Sequence, residues 1–282
     1  MTVGTVWRSP ASLAAVAAIL SAAPGLVACG DGASPRSSEA GAAPPSSVPP
    51  ASVPETPEAL SARLKKASAQ LRRGIDSWRS GKRVRQAPPE EVARWARYHK
   101  RAVELLARRT SLSAGTLRRL PPSLASQTRD LTLALRGLYR LAIDSPSARL
   151  RTGQPRPLPE LLSYYRAAER RFGVEWNVLA AVNLVESAFG RVRNDSAAGA
   201  QGPMQFVPDT WAAYGLGGDV HDPHDAILGA ANYLHSAGAP GSYARALYAY
   251  NPSRLYVDAV LRFARVIARD RDAVHLLYSW RP

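Results

Sequence analysis

The stretch Trp176-Asn-Val-Leu-Ala-Ala-Val-Asn-Leu-Val-Glu186-Ser187-Ala-Phe-Gly190, continued by Arg-Val-Arg-Asn-Asp-Ser196-Ala-Ala-Gly199-Ala-Gln-Gly202-Pro203-Met204-Gln205, decides how the chain is read. Its first half has the apolar content and spacing of a helix over about residues 175–189. Leu179, Val182 and Asn183 stand seven, four and three positions before Glu186, on one helical face. That face has to be buried, and an unpaired carboxylate there is costly. Burial beside apolar groups also raises a carboxyl pKa, which is how a Glu becomes a proton donor near neutral pH. Two readings are open at this point: Glu186 is an acid used in chemistry, or it pairs with Arg191 or Arg193 and caps a loop. The second half of the stretch reads as loop, with Gly199 and Gly202 permitting left-handed backbone and Gln205 able to donate and accept.

Working outward, helical punctuation recurs on both sides. Residues 158–172 form one expected helix, Pro208-Asp209 opens a short one, and Asp222-Pro223-His224-Asp225 has the residues of a capped helix start. Ser242 caps a helix ending at Asn251, and Asn251-Pro252 opens a last one with Leu255, Ala259, Val260, Phe263 and Ile267 on its apolar face. Upstream, Leu60, Leu64, Ala67, Leu71 and Ile75 share a helical stripe. So do Val92, Trp95, Ala96, Val103 and Leu106, and a third stripe runs through Leu131, Leu135, Leu138 and Leu141. No segment alternates as a strand does, so the expected class is all-α.

Charge divides the chain. Residues 58–171 carry 26 Lys and Arg against 9 Asp and Glu, whereas residues 172–282 carry 9 against 10. The cationic part calls for an anionic neighbour, or is simply a set of solvated helix faces written in Arg. At the N-terminus, Arg8 precedes the apolar run Ala11–Leu20, and small residues follow to the single cysteine, Cys29. This is the pattern of an export signal, and it argues against a nucleic-acid partner. Leu26-Val27-Ala28-Cys29 resembles a bacterial lipobox, which implies acylation at Cys29 and a membrane-anchored envelope protein. The expected organisation is a signal over 1–28, a Pro/Ser/Ala-rich linker over 29–57, a basic helical region over 58–150 and a final domain over 151–282.

Three motifs stand in order: Glu186-Ser187, then Gly199-Ala-Gln-Gly202-Pro203-Met204-Gln205, then Ala249-Tyr250-Asn251. Together they resemble the soluble-type lytic transglycosylase domain of the goose-type lysozyme superfamily, over about residues 158–270. The Asp222-Pro223-His-Asp-Ala-Ile start is more similar to the membrane-bound B type. The resemblance implies a lysozyme-like fold, peptidoglycan glycan strands as substrate and no cofactor. It implies Glu186 as the sole catalytic acid/base and Tyr250 as the tyrosine whose hydroxyl contacts it. Ser187, Ser196, Met204, Gln205 and Asn251 are implied to serve substrate binding. The pattern departs from the family at Pro203, where Leu is usual, and the interval from Glu186 to Ser196 is one residue longer than the commonest version. The resemblance leaves two other functions open: a goose-type muramidase, which wants a second carboxylate such as Asp195 or Asp209 to position water, and a non-catalytic wall-binding lipoprotein. It leaves a polycationic docking face over residues 58–150, toward anionic wall polymer or lipid, as a further expectation. His221 and His224 beside Asp222 and Asp225 are read as helix-start residues, so no metal is expected.

Overall fold

The computed structural model describes residues 48–81, 87–142 and 150–281, so the expected signal segment and Cys29 lie outside the described residues. The described residues are helical, and two isolated antiparallel bridges, Thr152 with Val192 and Gln201 with Phe206, are their only β pairing. None of the described helices is long and apolar enough to cross a membrane.

Four helices come from the basic segment: α1 (Pro57–Ser80), α2 (Glu90–Arg108), α3 (Thr110–Leu117) and α4 (Pro122–Ala142). Thr56 caps α1 through the Ala59 N–H, and Pro57 occupies the first turn, where its missing N–H costs nothing. The inner face of α1 buries Leu60, Leu64, Ala67, Leu71, Ile75 and Trp78, while Arg63, Lys65, Arg72 and Arg73 stay exposed on the outer face. The end of the expected linker is fastened to these helices. Glu55 pairs with Arg109 at 2.6 Å, Arg101 donates to the Ala51 carbonyl, and Val53 packs on the core. The short α3 escapes a sequence reading because Thr-Ser-Leu-Ser-Ala-Gly-Thr-Leu has no stripe.

Seven helices follow: α5 (Leu158–Phe172), α6 (Trp176–Ser187), α7 (Pro208–Tyr214), α8 (Pro223–Ser236), α9 (Tyr243–Tyr250), α10 (Arg254–Arg269) and α11 (Ala273–Tyr278). Helix α6 is the centre of the molecule, since every residue from Asn177 to Ser187 is buried. A helix apolar on all sides must be wrapped, and α5, α8, α10 and α11 wrap it. The last helix, α11, is also buried throughout and so has no stripe to reveal it.

The basic helices and the α6 surroundings share one hydrophobic core. Ala67, Trp78, Trp95, Leu135 and Leu138 belong to the same buried cluster as Leu179, Val182, Phe263, Tyr278 and Trp280. Among the described helices, the α4–α10 contact is the most extensive between any two. Asp130 on α4, 5 % exposed, accepts from three guanidiniums of α10: Arg262 at 2.9 Å, Arg265 at 3.1 Å and Arg269 at 3.2 Å. These arginines lie three and four residues apart, so one helix face presents all three. A second, smaller cluster of Leu60, Leu64, Ala102, Leu106, Leu112 and Leu120 closes the far end of the basic helices.

Candidate active site

Glu186 sits one residue before the end of α6 with 3 % exposure. Its Oε1 accepts a hydrogen bond from the Tyr256 hydroxyl at 2.7 Å. Neither arginine of the alternative reading reaches it. Arg191 donates to the Ala188 carbonyl and lies over the Tyr278 ring at 4.5 Å, and Arg193 donates to the Gln154 carbonyl. Burial therefore acts on Glu186 without a cation to oppose it, and pushes its carboxyl up to about 8, against the Tyr256 hydrogen bond, which pulls it down. At pH 7 such a group is roughly nine-tenths protonated. Tyr256 occupies Oε1, which leaves Oε2 to carry the proton.

The hydroxyl expected of Tyr250 is thus supplied by Tyr256. Tyr250 donates instead to the Met204 carbonyl at 2.6 Å, and its own pKa is raised by burial first and by the nearby Glu186 carboxylate second. The apolar spacing predicts Leu255 on the buried face of the last helix. The side chain that turns inward is its neighbour Tyr256, 1 % exposed, with Leu255 only half-buried. The spacing Tyr256, Ala259, Val260, Phe263 and Ile267 fits a helical stripe at least as well, and that spacing is the signal by which Tyr256 could be found.

The chain leaves α6 through three consecutive left-handed residues, Ala188 (φ 50°), Phe189 (φ 64°) and Gly190 (φ 77°). This is why the helix stops at Ser187 and not at Phe189. Only Gly190 adopts such a conformation freely; for Ala188 and Phe189 it costs about 1–2 kcal/mol each. Buried hydrogen bonds hold the turn. The Ser187 hydroxyl accepts from the Gly190 N–H at 2.7 Å and donates to the Pro203 carbonyl at 2.6 Å. The Asn183 side chain donates to the same carbonyl at 2.8 Å and accepts from the Tyr165 hydroxyl at 2.6 Å. Ser187 has no exposed surface, so its place is behind the loop and not against a substrate.

Residues 196–206 form a self-bonded loop over this end of α6. The Ser196 hydroxyl accepts from the Ala198 and Ala200 N–H groups at 3.2 and 3.0 Å, and Ser196 is 8 % exposed. Gln201 and Phe206 exchange both backbone hydrogen bonds, which closes a tight turn. Gly202 lies in that turn at φ 72°, and a Cβ there would overlap the Val220 carbonyl oxygen, so only glycine fits. Gln205 is left-handed too, at φ 52°, and its Nε2 donates to the Gly202 and Asn194 carbonyls. The Met204 side chain, expected to serve substrate binding, is fully buried in the core; what Met204 offers at the site is its carbonyl, held by Tyr250. Asn251 is 4 % exposed, and its Oδ1 is buried with no hydrogen-bond partner. A buried acceptor left open costs about 1–3 kcal/mol unless something else donates to it.

Aromatic rings line up beside Tyr250. Phe206 and Tyr233 flank it at 5.7 and 5.5 Å, with Trp211 beyond Phe206 and Tyr214 beyond Tyr233. Tyr248 is 48 % exposed, whereas Trp176 is half-buried under Arg166. Asp222, His224 and Asp225 bring three possible ligand atoms within 4.8 Å of one another. Asp222 Oδ1 is occupied by the His224 and Asp225 N–H groups and the Asp225 carboxylate by the Asp219 N–H and His224 Nδ1, as in an ordinary helix cap.

Residues 163–262, which contain Glu186, its tyrosine partner, the 196–206 loop and the row of rings, match the family model for the transglycosylase SLT domain. Over 128 residues the chain is 29 % identical to the membrane-bound lytic murein transglycosylase F of Thiobacillus denitrificans; the match covers 43 % of this chain and 27 % of that protein. The chain thus spans only about a quarter of the length of that relative in matched sequence. No solved structure matches the chain. Over residues 163–262 the chain is thus similar to the transglycosylase SLT domain.

Proposed function

We propose that the protein is a peptidoglycan lytic transglycosylase that cleaves the β-1,4 bond between N-acetylmuramic acid and N-acetylglucosamine, leaving a 1,6-anhydromuramoyl end. The observation that carries this reading is Glu186: buried at the end of α6, hydrogen-bonded to Tyr256, and with its carboxyl pushed up to about 8 by burial. A retaining glycosidase ordinarily needs two carboxyls about 5 Å apart, and an inverting one needs a base to hold water. A single neutral acid suits a reaction in which the substrate supplies its own nucleophile.

In that reaction Glu186 donates its proton to the glycosidic oxygen as the bond to C1 of the muramoyl residue breaks. The 2-acetamido group of that sugar stabilises the positive charge at C1, as in substrate-assisted glycosidases. The Glu186 carboxylate, momentarily charged and held by Tyr256, then takes the proton of the muramoyl 6-hydroxyl as that oxygen closes on C1. No water is consumed, and Glu186 ends protonated again. In this reading the 196–206 loop holds the acetamido and hydroxyl groups of the substrate. The proposed setting is the cell envelope, with Cys29 acylated and the exposed Arg63, Lys65, Arg72 and Arg73 toward an anionic neighbour. Mass spectrometry of digested peptidoglycan tests the reaction. Anhydro ends that disappear in Glu186→Gln support it; reducing ends would assign a muramidase instead.

A further inference from the structure

The outer face of α1 is cationic and unpaired. From Ala59 to Ile75 the helix carries Arg63, Lys65, Lys66, Arg72 and Arg73 and no acid. At about 100° per residue these five spread over about half of the helix circumference, on the side away from Leu60, Leu64, Leu71 and Trp78. Arg63, Lys65, Arg72 and Arg73 are exposed and Lys66 is half-buried. Among the described residues none of them makes a hydrogen bond or an ion pair, whereas the charges at the two ends of α1 are spent, Glu58 on Arg119 and Arg79 on Asp272. Asp76, exposed just past Arg73, offsets one of the five.

No large apolar side chain shares this face. Ala62 and Ala69 lie between the cations, and the large hydrophobic residues exposed among the described residues are Val48, Leu216 and Tyr248. The face offers charge without a wedge to insert, which suits the phosphate plane of a headgroup layer and not the acyl interior beneath it.

The path of the chain says which anion lies opposite. In sequence, 19 residues lead from Cys29 to Val48, a reach of at most about 63–68 Å. The chain is then fastened just before α1: Arg101 donates to the Ala51 carbonyl, Glu55 pairs with Arg109, and Thr56 caps the helix. A bilayer that holds Cys29 is therefore brought to α1 first. The inner face of α1 looks the other way. Trp78 stacks on Tyr278 at 6.4 Å, and Tyr278 meets Phe189, in the turn that follows Glu186, at 5.6 Å. The cationic face thus points away from the Glu186 turn.

Given the lipid-anchored envelope setting, on which this rests, we propose that the outer face of α1 docks on the anionic phospholipid headgroups of the membrane that holds Cys29. Docked so, the protein keeps α1 against the bilayer and the Glu186 end of α6 on the far side, toward the wall.

Vesicle binding by the full chain with Cys29→Ser, which removes the acylation site, tests the face. The apolar N-terminal segment is common to all samples. The readout is therefore binding to phosphatidylcholine vesicles with about 30 % phosphatidylglycerol relative to binding to phosphatidylcholine alone. Each cation near an anionic surface is worth about fivefold in partition. Arg63→Gln, Lys66→Gln and Arg73→Gln together are expected to cut the ratio about hundredfold, and raising the salt from about 0.05 to 0.5 M to abolish the preference. Arg63→Lys with Arg73→Lys keeps the charge and is expected to keep the ratio. Equal binding to both vesicles, or a Gln variant that binds as the parent does, overturns the proposal. So does complete release from the vesicles by soluble polyglycerol phosphate at matched phosphate concentration, which would assign the face to a wall polymer. Mass spectrometry of the Cys29 peptide from cells separates the two readings. A Cys29 without acyl groups refutes the anchor alone, and an acylated chain with no preference for anionic vesicles refutes the docking face alone.

Discussion

Replacing Glu186 by Gln tests whether the site holds a proton, without relying on activity. The carboxyl titrates at about 8 in the folded protein against 4.5 for an ordinary solvated Glu, so the folded chain holds on to a proton that the unfolded chain gives up. Between those values the unfolded state binds fewer protons, and stability falls as pH rises; below 4.5 and above 8 this group adds no further slope. Linkage with these two values makes the loss about 2–3 kcal/mol between pH 5 and pH 7. The amide in Glu186→Gln does not titrate, so the difference in unfolding free energy between variant and parent must grow by that amount over the same interval. A buried Gln brings its own offset, from an amide N–H that has to find an acceptor, but that offset is independent of pH and cancels in the comparison. Urea unfolding of both proteins at pH 5, 6 and 7 measures it. A difference that stays flat with pH means that Glu186 is ionised in the folded state and has no proton to donate.

Tyr256→Phe removes the hydrogen bond that holds the Glu186 pKa down, so the alkaline limb of kcat/KM moves to higher pH while the maximum falls by about tenfold to a hundredfold; an unmoved limb would separate the two groups. Gly202→Ala puts a methyl into the Val220 carbonyl at a left-handed φ, with an expected cost of about 3 kcal/mol or more in thermal or urea unfolding. Asp130→Ala leaves three arginines of α10 facing one another; with Arg265 and Arg269 about half exposed, the cost is discounted to about 2–3 kcal/mol. Because the basic helices share their core with α6, that loss should appear as one cooperative shift and not as separate melting of a subdomain.

Local signals carry much of this architecture. Thr56-Pro57 and Asp222-Pro223 start helices because capping and proline geometry act over three or four residues, and both helices begin where those residues stand. The acid at Glu186 is visible because a carboxylate on an apolar helical face is anomalous within its own helix. Where the structure differs from the sequence expectation, the cause is a partner distant in the chain or the lack of any local pattern. Helix α11 is buried on every side and has no periodic face to detect. Met204 lies in a motif that suggests substrate binding, yet its side chain fills the core and only its carbonyl faces Tyr250.

Residue order dictates an all-α chain, a buried Glu186 and a glycine-bearing loop that must come close to it. Each depends on periodicity, capping or the special backbone of glycine, which are properties of neighbouring residues. Packing in three dimensions settles which hydroxyl meets the carboxylate, that Ser187 and Asn183 clamp the loop from behind, and that α1–α4 belong to the same core as α6. Those outcomes depend on the angle at which α10 crosses α6 and on which side of its first turn faces inward. A tyrosine seventy positions downstream of Glu186 becomes its only hydrogen-bond partner among the described residues because helices, and not chain neighbours, bring them together.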